Sequence, residues 1–214
     1  MSFSFQIQNS TLIHEIWGIM FACIASLGIY ISLILLVRDR CRGSLRCWLG
    51  FYTASLSLLL LDLVFLNSDW GNEWLNSMGI VLLFFIGPFF FQYRKASWHQ
   101  KGLGKVLIHL LPGGLVFFCM GICNLGDTVW YVCGLIHAGI YLLIPLLIPG
   151  QTDLLLPRHG ILQLLLYTGI CITSLAIPRV SVFIFSSVGL AILILHIWVR
   201  LLYAAYLSYM ISKS

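Results

Sequence analysis

The sequence predicts an all-α membrane protein, a bundle of seven transmembrane helices that forms one domain over residues 1–214. Hydrophobic residues make up 60% of the chain and charged residues only 9%. A soluble domain carries about a quarter charged residues, so this chain has too few to cover a water-facing surface. With about 20 residues needed for each bilayer crossing, the length accommodates seven spans and short loops. Helices are expected because lipid offers no partner for free backbone polar groups.

The first half of the chain shows four apolar segments separated by polar loops. Residues 1–11 are polar and lack Lys and Arg, and the first span follows them. An arginine-rich loop ends that span, the segment NSDWGNEW separates the second from the third, and a basic loop over residues 94–105 separates the third from the fourth. The first four predicted spans cover residues 12–37, 47–66, 75–93 and 106–125.

The second half shows three more apolar segments. Gly126 and Asp127 form a tight turn after the fourth span, a connection over residues 149–160 follows the fifth, and Pro178 ends the sixth. The remaining predicted spans cover residues 128–148, 161–177 and 180–206.

The distribution of basic residues predicts the orientation in the membrane. If the loops alternate between the two sides, eleven of the twelve Lys and Arg residues fall on one side and only Arg179 on the other. Basic residues concentrate on the cytoplasmic side of membrane proteins. We therefore expect the N-terminus outside and the C-terminus in the cytoplasm. The net charge of +5 lies beside membrane ends, so we predict the lipid bilayer, not nucleic acid, as its partner.

The hairpin between the third and fourth spans carries the most distinctive motif. GPFFFQYR (residues 87–94) is followed, after a short loop, by HLLP (residues 109–112). This pattern resembles the seven-helix membrane domains at the N-terminus of certain AraC-type transcriptional regulators of bacteria. His137 and Tyr141 in the fifth span also look like that family's helix. The resemblance implies a sensory module in the bacterial inner membrane.

That family continues past its seventh helix into a cytoplasmic helix-turn-helix domain, and this sequence contains no such element. The resemblance therefore implies a receptor-like module that passes a ligand or membrane signal to a separate protein partner, in the membrane or the cytoplasm. Gly87-Pro88 inside a span predicts a bend that acts as a hinge, although such a bend can also serve packing alone. The hypothesised hinge and output residues are Gly87, Pro88, Tyr93, Arg94, Trp98, His109 and Pro112.

Ionisable side chains inside a membrane are costly and are candidates for function. Asp62, near the outer end of the second span, could bind a cation or the amine of a small-molecule ligand, or belong to a proton path. It could equally reach the outer interface or pair with Arg179. The outer loops are acidic, which would attract a cationic ligand. The hypothesised ligand-binding residues are Asp62, Trp70, Glu73, His137 and Tyr141.

The histidines leave a further alternative open. His137 and His196 lie at similar predicted depth and could hold a haem between them, which would make the protein an electron carrier. The competing interpretation is a neutral His137 bonded to a backbone carbonyl or to Tyr141, one turn away. No haem, other cofactor or metal is predicted.

Cysteines and catalytic motifs add little. A disulfide from Cys133 to Cys119 or Cys123 is conceivable outside the cell, but free cysteines also pack as small hydrophobic residues. No catalytic triad, HExxH motif or phosphate-binding loop occurs, so we predict that the protein is not an enzyme.

The alternatives to a sensor are a structural or assembly subunit of a larger membrane complex and a small-solute transporter.

Overall fold

A computed structural model describes residues 2–38, 45–66, 73–96, 104–122, 127–147 and 179–213, all of them helical. The all-α prediction is confirmed for this part of the chain, which contains no strand. Its six helices are α1 (Ser2–Arg38), α2 (Leu45–Leu66), α3 (Glu73–Ala96), α4 (Gly104–Ile122), α5 (Asp127–Leu147) and α6 (Arg179–Lys213).

Helices α2 to α5 begin and end within three residues of the second to fifth predicted spans. The two outermost helices are longer than expected, because α1 begins at Ser2 and α6 continues to Lys213. Both extensions lack Gly and Pro, the residues that most strongly end a helix. A loss of hydrophobicity alone does not end a helix. The sixth predicted span, residues 161–177, lies outside the described residues.

Three helical segments of the described chain are long and apolar enough to cross a membrane: Glu15–Val37, Arg46–Phe65 and Ser186–Ile211. Two shorter apolar segments, Met78–Arg94 and Val132–Tyr141, lie in α3 and α5. The prediction of a membrane protein therefore has support in the length and composition of the helices.

Helices α2 and α3 form the centre of the described bundle. Helix α2 packs against α1, α3 and α6, whereas α3 packs against α2, α4 and α5. Apolar residues three or four positions apart on α2 lie in the core, as expected for one face of a helix. The largest fully buried side chains include Phe21, Leu49, Tyr52, Leu56, Leu60, Leu83, Ile86, Tyr93, Leu190 and Leu193.

Two contacts between α2 and α3 show the relative direction of these helices. Tyr52 of α2 packs on Phe90 of α3, with ring centroids 5.2 Å apart, and Asp62, ten residues later on α2, packs on Gly79, eleven residues earlier on α3. Helices α2 and α3 are therefore antiparallel.

Helix α5 runs parallel to α3. The Cα of Gly134 faces Leu83, and one turn further along both helices Gly87 faces Ala138. Small residues on both sides let the two backbones approach closely, a common arrangement between membrane helices. The close approach fixes which side chains of α5 can reach α3.

Polar residues in the core of α2 are satisfied within their own helix. Thr53 Oγ1 donates to the carbonyl oxygen of Leu49 at 2.8 Å, and Ser57 Oγ donates to that of Thr53 at 2.8 Å. Both residues are fully buried. Gly28 of α1 lies directly on the Ser57 hydroxyl, so the lack of a side chain there permits close packing of α1 and α2.

Candidate functional site

Two histidines and a tyrosine form a compact polar cluster among aromatic rings of α3. The Nδ1 atom of His109 on α4 and the hydroxyl of Tyr141 on α5 share a hydrogen bond of 2.9 Å. The His137 ring lies 4.9 Å from the Tyr141 ring and 5.1 Å from Phe84, centroid to centroid. Phe91 completes the cluster, 5.3 Å from His109 and 5.8 Å from Tyr141. We call these five residues the His–Tyr cluster.

The sequence suggested a hydrogen bond between Tyr141 and His137, but the Tyr141 hydroxyl bonds to His109 instead. His137 and Tyr141 lie one turn apart on α5, and helical side chains lean toward the N-terminal end. The two rings therefore pack on each other, and the Tyr141 hydroxyl extends past His137 to His109 on α4. The Nδ1 atom of His137 is buried and has no hydrogen-bond partner among the described residues.

The proposed hinge touches this cluster directly. A Cβ atom on Gly87 would lie 2.9 Å from both the Cα of Ala138 and the Cβ of Tyr141, so only glycine permits this contact without a shift. Pro88 beside it is buried and inside α3, and it leaves the carbonyl of Phe84 without the usual helical donor. Two residues assigned to ligand binding, His137 and Tyr141, therefore adjoin two assigned to output, Gly87 and His109.

The other output residues are spread along α3 and α4. Tyr93 is fully buried in the core and packs on Phe90 at 6.2 Å. Arg94 and Pro112 are half-buried. Trp98 lies outside the described residues, so its role stays a prediction.

Two buried polar residues near the cluster have no counterpart in the site predicted from sequence. The Nε1 atom of Trp130 on α5 and the Nε2 atom of Gln92 on α3 are buried without a hydrogen-bond partner among the described residues. Gln92 interrupts a run of phenylalanines, and an amide inside an apolar helix is a signal that could have identified it. Nothing in the sequence around Trp130 distinguishes it from an interfacial tryptophan.

Asp62 occupies a different part of the bundle. Its side chain is 7% exposed, and its carboxyl group lies against Gly79 of α3. Helix α2 does not contact α5 along the described residues, so Asp62 and His137 approach α3 from different neighbouring helices. The side chains of Trp70, Glu73 and Arg179 lie outside the described part, and a pairing of Asp62 with Arg179 stays a prediction.

The haem alternative depends on two histidines whose helices have no close described contact with each other. His196 is on α6, whose described contacts are with α1 and α2, whereas His137 packs on α3. Cys119 and Cys133 are free thiols, and Cys123 lies outside the described side chains. Among those side chains, no group of three His, Cys, Asp or Glu residues is arranged to hold a metal ion.

The cluster can exchange hydrogen bonds with a ligand. The His109–Tyr141 bond and the unpartnered Nδ1 atom of His137 provide polar atoms in otherwise aromatic surroundings. Comparison of the chain with protein-family models, curated proteins and solved structures found no match. Fold and site together define an α-helical protein with three membrane-capable helices and a His–Tyr cluster at the junction of α3, α4 and α5.

Proposed function

We propose that this chain is a multi-pass sensory module of a bacterial inner membrane, with seven spans, an outer N-terminus and a cytoplasmic C-terminus. The bias of basic residues to one side supports this orientation. The antiparallel arrangement of α2 and α3 and the parallel arrangement of α3 and α5 also support successive membrane crossings. Large apolar side chains exposed along one stripe of α5 suit contact with lipid: Val129, Val132, Ile136, Ile140 and Leu143.

The contact of Tyr141 with both Gly87 and His109 carries the sensory proposal. A ligand that bonds to His137 or Tyr141 would compete with the bond to His109 and disturb the packing at Gly87. Both changes would act on α3 at Pro88, which precedes Arg94 by six residues. The proposed output is a movement of the cytoplasmic end of α3, which continues into the basic loop containing Trp98.

The outer end of the bundle would admit the ligand. Trp70 and Glu73 belong to this predicted end, where acidic loop residues would attract a cationic small molecule. A separate protein in the membrane or cytoplasm would bind the 94–105 loop and receive the signal. No role for nucleic acid, metal, cofactor or catalysis is proposed.

The test is a purification of tagged full-length protein after cross-linking in cells, with retained proteins identified by mass spectrometry. The wild type is compared with Tyr141→Phe and Pro88→Ala, and with Tyr30→Phe, whose ring is exposed on α1. A partner whose recovery changes in Tyr141→Phe and Pro88→Ala but not in Tyr30→Phe supports the sensory module.

Other outcomes identify the alternatives. A stoichiometric partner that all four proteins retain equally would indicate a structural or assembly subunit. A Soret absorbance band that disappears in His137→Ala or His196→Ala would indicate an electron carrier. A colourless chain without a partner, together with solute flux that depends on Asp62, would indicate a transporter.

A further inference from the structure

Asp62 carries a buried carboxyl group that is not part of the His–Tyr cluster. It lies within Arg46–Phe65, one of the three segments that are able to cross a membrane. More than nine-tenths of the side chain is buried, and its Oδ1 atom has no hydrogen-bond partner among the described residues. Buried polar groups are nearly always paired in proteins, so this exception requires an explanation.

The contact with Gly79 limits what Asp62 can bind. A Cβ atom on Gly79 would overlap the Oδ2 atom of Asp62, so the backbone of α3 covers the carboxyl group. An organic amine would need the space that α3 occupies. Calcium or magnesium would need about six oxygen ligands, and no group of three metal-binding side chains is found in the described part. A proton needs neither space nor further ligands.

We propose that Asp62 is a proton-binding site and that its occupancy controls the packing of α2 against α3. With its proton, the neutral carboxyl group lies against Gly79. When the O–H bond breaks and the proton passes to water, a carboxylate without a partner remains, which is strongly unfavourable inside a protein. Separation of α2 from α3 at Gly79 then admits water to the charge. Its use as a stimulus depends on the proposed sensory function, but the proton site does not.

The neighbouring helices present few groups that would compensate the charge. Gly28 faces Ser57 and Gly50 faces Leu36, so α1 and α2 are antiparallel. Cys23 of α1 therefore lies at the level of Asp62, and its side chain is exposed. Helix α3 presents Gly79. Helix α6 carries the neutral Ser186 and Ser187, both buried. The other charged groups of the predicted outer end are Glu15, which is exposed on α1, and four residues whose side chains lie outside the described part: Asp69, Glu73, Asp127 and Arg179.

Infrared spectroscopy of the full chain in lipid vesicles tests the proton site directly, because protonated and ionised carboxyl groups absorb at different frequencies. Spectra are recorded from about pH 5 to about pH 9, a range in which ordinary Asp and Glu side chains are ionised. We expect a protonated-carboxyl band at neutral pH that disappears at higher pH. It should be absent in Asp62→Asn and present in Glu15→Gln, which alters an exposed acid on α1. A band that persists in Asp62→Asn, or no band at all, would overturn the proposal.

A glycine pair tests the link to helix packing, and it decides the question even if Asp62→Asn does not accumulate. Gly79→Ala should displace the carboxyl group toward water and remove most of the band at neutral pH. Gly139→Ala on α5 is the matched control, because a Cβ there meets no atom within 4 Å. Equal bands in the two variants would show that Gly79 does not control Asp62. Since the infrared band measures the proton occupancy of Asp62, this test of the proton site does not depend on whether a signalling partner exists.

Discussion

The hydrogen bond between His109 Nδ1 and the Tyr141 hydroxyl, 2.9 Å long, joins α4 to α5, two helices whose described backbones do not pack closely on each other. Helices α4 and α5 both pack on α3, and the long side chains of His109 and Tyr141 span the gap between them. Because the backbone of α4 packs closely only on α3 among the described helices, the bond to α5 restrains how α4 lies on the bundle.

Removal of the Tyr141 hydroxyl should weaken that restraint. Tyr141→Phe keeps the ring contacts with His137 and Phe91 but removes the hydrogen bond to His109, and a typical net loss is about 1 kcal/mol. The measurement is the free energy of unfolding in detergent. Combined with His109→Leu in a double-mutant cycle, it should show a coupling of roughly 0.5–3 kcal/mol, as for residues in direct contact.

The control for this cycle is Tyr203→Phe, since Tyr203 is exposed on α6. Additive effects of the Tyr141 and His109 substitutions would show that the bond does not hold α4 to α5.

Gly87→Ala should separate α3 from α5. The added Cβ would lie 2.9 Å from the Cα of Ala138, and because this neighbour is backbone it cannot rotate away. Overpacking of this kind costs about 1–3 kcal/mol. Thermal unfolding of Gly87→Ala and Gly139→Ala, both on helices, compares a crowded site with an open one. A melting temperature as high for Gly87→Ala as for Gly139→Ala would contradict the observed α3–α5 contact.

Gly28→Ala and Ser57→Ala should compensate each other in part. A Cβ on Gly28 would overlap the Ser57 hydroxyl and lie 3.0 Å from Ile194 of α6. Gly28→Ala alone should therefore destabilise the protein by about 1–3 kcal/mol, and the double variant should recover much of that loss because the hydroxyl is gone. Thermal unfolding of the two single variants and the double variant measures this. A double variant no more stable than Gly28→Ala alone would place the clash elsewhere.

Pro88→Ala should abolish signal transfer without lowering the stability of the protein. The substitution restores a donor for the Phe84 carbonyl, so the melting temperature should stay the same or rise, since Pro inside a helix costs about 3 kcal/mol. If Pro88 is the hinge, the variant loses the response of its partner while it remains folded. A partner response equal to that of the wild type would remove the hinge from the proposed function.

Helix positions could be predicted from the sequence because runs of about 20 apolar residues have one common explanation. Helix pairing could not, because nearly every position in such a run is apolar and no periodicity identifies the buried face. The contact of Asp62 with Gly79 joins residues seventeen positions apart in the sequence, and only the register of α2 on α3 shows it. The sequence shows that Tyr141 lies one turn after His137, but the bond of its hydroxyl to His109 depends on the position of α4.

The hydroxyl groups buried in α2 affect how this part of the bundle can move. Thr53 and Ser57 direct their protons to carbonyls of the same helix, as does Ser55 to Phe51 at 3.0 Å. Sliding or rotation of α2 past α1 therefore breaks none of these three bonds. The fit of shapes at that surface, such as Gly28 on Ser57, resists a small displacement of α2 past α1 sterically while these three bonds stay intact.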